Sequence, residues 1–307
     1  IAGAGKNLTL NSGTGTISVT GAVGSTSNGL GTIIIANSNG TTFLSTVDAA
    51  AVVLTNTSGT ITFTGNATIT SATGLVTTAN GYNVIFTGGT NSIAGITTFN
   101  NSGYITLGDS GDTTSFVAGL TATAPSQVNI GGTVQSTGSA ISLGTTGAHV
   151  ISLTANSIIS GNTTGNITLG GTVNGAYTLD INTTGATTLS GIIGASTPLT
   201  SLTTNTGGTL AINTTAISTT GAQTFGENAT LGADLTLTSS ASGNISFAGT
   251  IESTTSARAL TINTSGATTF SGTVGATSPY LASVTTNSGG TTVISGGSVR
   301  TTGVQTY

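Results

Sequence analysis

INTTGATTLSG at residues 181–191 returns as INTSGATTFSG at 262–272, and STTGAQTF at 218–225 returns as RTTGVQTY at 300–307. The same spacing links Leu120, Leu202 and Val284. It also links Ile130, Ile212 and Ile294, and Gly103 with Gly185. A fixed period of about 82 residues, assembled from short apolar/polar alternations, marks a solenoid in which each unit buries its apolar face against its neighbours. The repeat decides the fold, and no catalytic constellation rises above it.

Within each copy the sequence asks for strands. Glu, Lys, Arg, Gln and Met, the helix formers, are scarce or absent, while Thr, Val and Ile abound. Runs such as TITFTG (60–65), NVIF (83–86), YITLG (104–108), TLAIN (209–213) and ALTIN (259–263) alternate Ile, Leu, Val or Phe with Thr, Ser or Asn. That alternation gives one buried and one solvated strand face. Clusters such as NSGTG, NSNG, NTGG and NSGG supply the residues that tolerate tight corners. Whole copies match without a linker, which predicts a parallel coil in which like stacks on like. About four coils of roughly 20 residues fill one copy; at about 4.8 Å per coil the chain would make roughly 15 coils and a rod of about 70 Å. Copies fall at 17–98 (shortened), 99–180, 181–262 and 263–307 (partial), within one continuous solenoid over 1–307. In the shortened copy Phe43 stands about one coil nearer to its counterpart Leu107 than a full copy would place it.

Composition narrows function. Lys6, Arg258 and Arg300 are the 3 basic residues of 307; 7 are acidic, and the net charge is −4. Nucleic-acid binding needs clustered Lys and Arg, so that class is excluded. No apolar run approaches the roughly 18 residues of a membrane-spanning helix; the longest are Ile33 to Ala36 and Ala49 to Leu54. There is no Cys; a long solenoid does without disulfide staples because its core grows with every coil. The chain starts at Ile1 without a visible signal peptide and stops at Tyr307 in mid-repeat, so it reads as a window on a longer array or a processed chain.

The units built as LTINTSGATTFSGTVG…LASVTTNSGGTTVISGGSVRTTGVQTY resemble the β-strand repeats of very large bacterial surface proteins, the filamentous-haemagglutinin-like and autotransporter-like adhesins. The resemblance covers residues 8–307, most clearly 178–307. It implies a right-handed parallel β-helix, export to the cell surface, and a structural or adhesive task. The amino-terminal secretion domain and the membrane barrel of such proteins are not in this sequence.

Residues with chemical capacity are few. His149 is the sole histidine and has no Cys beside it, so zinc or a catalytic triad lacks partners. Asp109 and Asp112 in GDSGD (108–112) read as a polar turn and are the one weak Ca²⁺ candidate; no other cofactor is expected. Asp48, Asp180, Glu227, Asp234 and Glu252 stand singly, whereas a glycosidase groove needs converging carboxylates. Steps at Thr203–Thr206, Thr236–Thr238 and Thr285–Thr286 suggest hydroxyl ladders of the kind that order ice. Asn-x-Ser/Thr sequons at Asn7, Asn56, Asn66, Asn162, Asn166, Asn182, Asn213, Asn228, Asn244 and Asn263 follow from the composition. Phe43, Leu107, Leu189 and Phe270 share one repeat position and Phe225 and Tyr307 another, which reads as an interior stack.

The expectation is a non-enzymatic structural element of an extracellular filament or adhesin stalk. Uncapped strand edges pair with other chains. Leu8, Leu10, Ile17 and Val19 at one end, with Val293, Ile294, Val299 and Tyr307 at the other, would then form the interface for self-association. The alternatives are an adhesin module gripping a glycan or cell surface through GDSGDTTSF (108–116) or VDAAAVV (47–53), and an ice-binding solenoid.

Overall fold

The computed structural model describes residues 1–147 and 149–307; among them there is strand, turn and loop but no helix. Alternating sequences form short strands that pair in parallel into a right-handed β-solenoid. The strand readings translate directly: Thr60–Phe63, Asn83–Phe86, Tyr104–Leu107 and Thr209–Ile212 are all strands, each with its apolar residues buried in alternation.

Each coil has three faces, met by the chain in the order A, B, C. Face A stacks Leu8, Ile33, Val52, Leu75, Thr97, Leu120, Ile141, Ile167, Thr187, Leu210, Ala229, Ile251, Val274 and Val299. Face B stacks thirteen rungs from Ile17 through Thr41, Ile61, Val84, Ile105, Val128, Ile151, Val173, Ile193, Ile217, Leu237 and Ile262 to Thr286. Face C runs from Val23 and Val47 through Val134, Ile159, Ile181, Thr204, Phe225, Phe247 and Phe270 to Ile294. Successive rungs stand slightly further apart in the chain than expected, as the steps from Ile61 to Val84 and from Val128 to Ile151 show. The rod therefore has about 13 turns and is roughly 60 Å long at 4.8 Å per rung.

The long sequence period takes an unexpected form. Leu120 lies on face A, Leu202 on face C and Val284 on face B. Ile130, Ile212 and Ile294 occupy B, A and C. One copy spans eleven strands, three coils and two further faces, so each copy begins one face round from the last. Homologous segments do not stack on one another, contrary to the like-on-like expectation. The tolerance has a local cause, because the three corners are interchangeable. At the C-to-A corner, Thr183 N–H donates to Asn205 Oδ1 (2.8 Å), its Oγ1 donates to the Gly165 carbonyl (2.6 Å), and Gly185 N–H donates to that Oγ1 (2.9 Å). At the B-to-C corner Thr264 makes the same three bonds with Asn287, Gly243 and Gly266, at 2.9, 2.7 and 2.9 Å. Gln223 Nε2 reaches the Ile217 carbonyl and Thr219 Oγ1; Gln305 Nε2 reaches the Val299 carbonyl and Thr301 Oγ1 one corner away.

The aromatic positions follow from this geometry. Phe43, Leu107, Leu189 and Phe270 are all buried, but they sit on faces B, B, A and C and form no common stack. The real stacks are rung on rung: Phe43–Phe63–Phe86, with ring centroids 5.2 and 4.7 Å apart, and Phe225–Phe247–Phe270, at 4.7 and 6.0 Å. Phe43 to Leu107 is three whole coils, nine strands, through Phe63 and Phe86. The short copy has lost two strands, which is why these two residues remain on one face.

Corners are locked by asparagines. Oδ1 of Asn7, Asn66, Asn83, Asn156, Asn166, Asn228 and Asn244 each accepts a backbone N–H from the next coil, at 2.8–3.1 Å. Five of these are sequon positions, so their side chains serve the fold. Corners also require close backbone approach: a Cβ on Gly272 would lie 2.3 Å from the Gly249 carbonyl oxygen, and one on Gly296 would lie 1.9 Å from that of Gly272.

Phe63 is fully buried between two rings. Phe63→Ala leaves a cavity in the middle of the stack and is expected to cost about 3–5 kcal/mol, read as a lowered chemical-denaturation midpoint. The solvent-facing Thr62→Ala on the same strand should change it by under about 0.5 kcal/mol.

Candidate functional site

The two ends of the solenoid are strand edges. Leu8–Asn11 pairs only with the strand above it, and Gln305–Thr306 only with the strand below it; these are the two positions at which a further rung, of this chain or of another, would add. Leu8, Leu10 and Val19 lie half-buried against the core, as does Val299 at the other end, and Ile17 is half-buried. Ile294 is 42 % exposed although Phe225, Phe247 and Phe270 beneath it in the same inward column are at most 1 % exposed. Its exposure comes from the lack of a rung above it. Tyr307 is exposed at the top of face B. Val293 pairs with Thr269 and points outward, so it belongs to the lateral surface of the last rung and not to the interior column.

The ionisable residues are dispersed. Asp109 and Asp112 share one turn, with Asp109 N–H donating to Asp112 Oδ2 at 3.1 Å; burial raises the Asp112 pKa, opposed by that backbone bond. Asp234 Oδ1 accepts from Ala259 N–H, and the Glu252 carboxylate accepts from Ala276 N–H, Thr277 N–H and the Thr277 hydroxyl. Asp180 lies outward on face C between Ile158 and Thr203. His149 Nδ1 hydrogen-bonds the Thr145 hydroxyl. Among the described residues no group of three His, Asp or Glu side chains could hold a metal ion.

Glu227 is the most deeply buried acid, at 2 % exposed. Its Oε2 accepts a hydrogen bond from Thr204 Oγ1, and its Oε1 has no partner. Burial pushes its pKa up, partly offset by the Thr204 bond. The alternating pattern gives no hint of this, because the residue falls in a corner.

Hydroxyls line the outer faces in columns. Thr98, Thr121, Ser142, Thr168 and Thr188 form one on face A. The outward positions two residues earlier carry Ile96, Gly119, Ala140, Asn166 and Ala186, so the column is one residue wide. On face B the pairs Thr16/Ser18 and Thr60/Thr62 are separated by Gly40/Thr42, so only the column Ser18, Thr42 and Thr62 is continuous before Ile85 ends it. Of the Thr steps read from sequence, Thr236 and Thr238 both face outward, whereas Thr204 and Thr286 point inward and are 1 % and 4 % exposed.

A cleft of ≈ 240 Å³ around Asp48 is lined also by Ser25, Thr26, Leu30, Ala50, Thr68 and Thr70. It lies on face C near the amino-terminal end, within the VDAAAVV stretch. The GDSGDTTSF stretch forms an exposed turn followed by the regular strand Thr113–Phe116.

The chain matches no family model, no curated protein and no solved structure.

The Glu227 geometry fixes a pH dependence. Its native pKa is raised, so its burial is harmless below the ordinary glutamate range, about pH 4.3. Stability falls as pH climbs through the raised native value, because the unfolded chain releases that proton first. Glu227→Gln keeps an acceptor for Thr204 and removes the titration. It should raise the denaturation midpoint at pH 8 and leave it nearly unchanged at pH 4.

Proposed function

We propose that this chain is a non-enzymatic structural rod, an element of an extracellular filament or of a surface adhesin stalk. The observation that carries this reading is the eleven-strand period on a three-faced coil. A flat site that had to recur with the repeat would need a period of whole coils. Here each copy is turned one face from the last, so what repeats is the interior column and the corner, which are the parts that make a rod stiff. Core columns run from the first coil to the last, and the backbone ladders follow them, narrowing to single bridges at Ile193 and Val274, so each inner coil is held from both sides. The extracellular setting comes from the resemblance of the repeats to large bacterial surface proteins. Ice binding is less well supported, because the hydroxyl column is one residue wide on face A and the second column on face B is broken at Gly40.

Self-association end to end follows from the same physics. An open edge over a half-exposed apolar column accepts another parallel rung, from the same or another chain. Near-absence of charge removes the usual barrier, with Arg300 the only charged residue beyond Arg258. Sedimentation velocity and negative-stain microscopy over rising concentration should show rods lengthening in multiples of one chain. Ile294→Lys should hold the population at single rods. Side-by-side aggregation unaffected by Ile294→Lys would contradict end-to-end stacking.

A further inference from the structure

The Asp48 cleft is unlike the rest of the surface. Here the loop 24–29 swells from the first rung of face C and overhangs the two rungs above it. Those rungs present a two-by-two grid: Asp48 and Ala50 on one, Thr68 and Thr70 on the next. The loop is set by Asn28 N–H, which donates to both the carbonyl and the hydroxyl oxygen of Ser25, at 3.0 and 3.2 Å. The Asp48 backbone is pinned beneath it by its own N–H to the Val23 carbonyl, at 2.7 Å.

Asp48 is 8 % exposed and lines the cleft. Its carboxylate accepts no hydrogen bond from any described residue and has no cation beside it. The residue is covered on its other sides, so a donor reaches the carboxylate through the cleft. The one acid buried more deeply, Glu227, accepts from Thr204. An acceptor that faces the cleft without a partner of its own is open to a donor from outside the chain.

The surroundings select the class of donor. One carboxylate supplies too few oxygens for calcium, which takes six to eight. The Ser25, Thr26 and Thr68 hydroxyls can donate as well as accept, and Thr70 Oγ1 makes only a long bond to the Ala49 carbonyl, at 3.4 Å. Leu30 and Ala50 add apolar surface. A carboxylate that accepts from two adjacent hydroxyls, hydroxyls that reciprocate and an apolar patch for a C–H face together describe a sugar ring, and a volume of ≈ 240 Å³ holds one. We propose that the cleft between the 24–29 loop and the Asp48 and Thr68 rungs is a binding site for a single sugar residue presenting adjacent hydroxyls, with Asp48 as its principal acceptor. This site is lateral, so it does not depend on how the rod ends are used.

The test is saturation-transfer-difference NMR on the full chain, in EDTA, with the methyl glycosides of glucose, galactose, mannose and N-acetylglucosamine as probes. Transfer to at least one glycoside is expected, with the protons nearest its adjacent hydroxyls most strongly saturated. Asp48→Asn should weaken that glycoside at least tenfold. Thr26→Trp, placed on the exposed loop away from the core, should block the cleft and abolish transfer while leaving the circular dichroism spectrum and denaturation midpoint unchanged; it stands as the test if Asp48→Asn disturbs folding. No transfer to any of the four, transfer that survives both substitutions, or calcium binding at Asp48 without sugar binding would each overturn the proposal.

Discussion

The parallel backbone ladder between one coil and the next is the constraint on which everything else rests. Each strand satisfies its N–H and C=O groups on the rungs before and after it, so Val128 is held between Ile105 on one side and Ile151 on the other. That spacing fixes the side-chain columns, because a residue that points inward on one rung must sit over an inward residue on the next. The core is then a prism filled by long columns, more than one to a face, as Ile61 and Phe63 show on face B, and most of their members are fully buried. Rings stack where Phe follows Phe on the ladder, at 4.7 to 6.0 Å, close to the rung spacing itself.

Corners are where the ladder could fail, since the chain must turn without leaving buried polar groups unpaired. Here asparagine and threonine satisfy them. A corner Asn side chain stands in for the missing backbone acceptor of the next coil, and Thr183 and Thr264 close the turn with the same three hydrogen bonds on different faces. Because any corner can take any corner sequence, the chain can gain or lose single strands. The short copy, two strands lighter between Phe43 and Leu107, and the eleven-strand period are both consequences. The number of strands in a copy need not be a multiple of three.

Strand positions and the parallel solenoid were legible from the sequence, because alternation reports burial residue by residue. Thr209–Ile212 and Asn83–Phe86 could be read off directly. The coil was harder to read. The strongest sequence signal, Leu120 to Leu202 to Val284, compares strands that share a local environment and occupy different faces. Identical corners make such strands look equivalent, so the period counts strands and conceals coils. The weaker and shorter spacing from Phe43 to Phe63 to Phe86 held the coil length. Of the terminal residues named from sequence, Leu8, Leu10, Ile17, Val19 and Val299 are half-buried, Ile294 and Tyr307 are exposed, and Val293 points outward on the last rung. Asp48 and Glu227 looked alike as isolated acids. Only the folded chain separates them: one opens into a cleft beneath a loop, and the other is sealed in a corner.

The three-faced coil is tested most directly by paired cysteines in a chain that has none of its own. Thr203 and Thr224 are outward neighbours on adjacent rungs of face C, within the Cα separation of about 4.4–6.8 Å that a disulfide spans. Thr203 and Thr285 are equivalent in the sequence repeat but lie on faces C and B, several rungs apart. Mild oxidation should close Thr203→Cys/Thr224→Cys into an intramolecular disulfide with the fold intact and leave monomeric Thr203→Cys/Thr285→Cys reduced. A cross-link in the second pair, or none in the first, would contradict the coil described here.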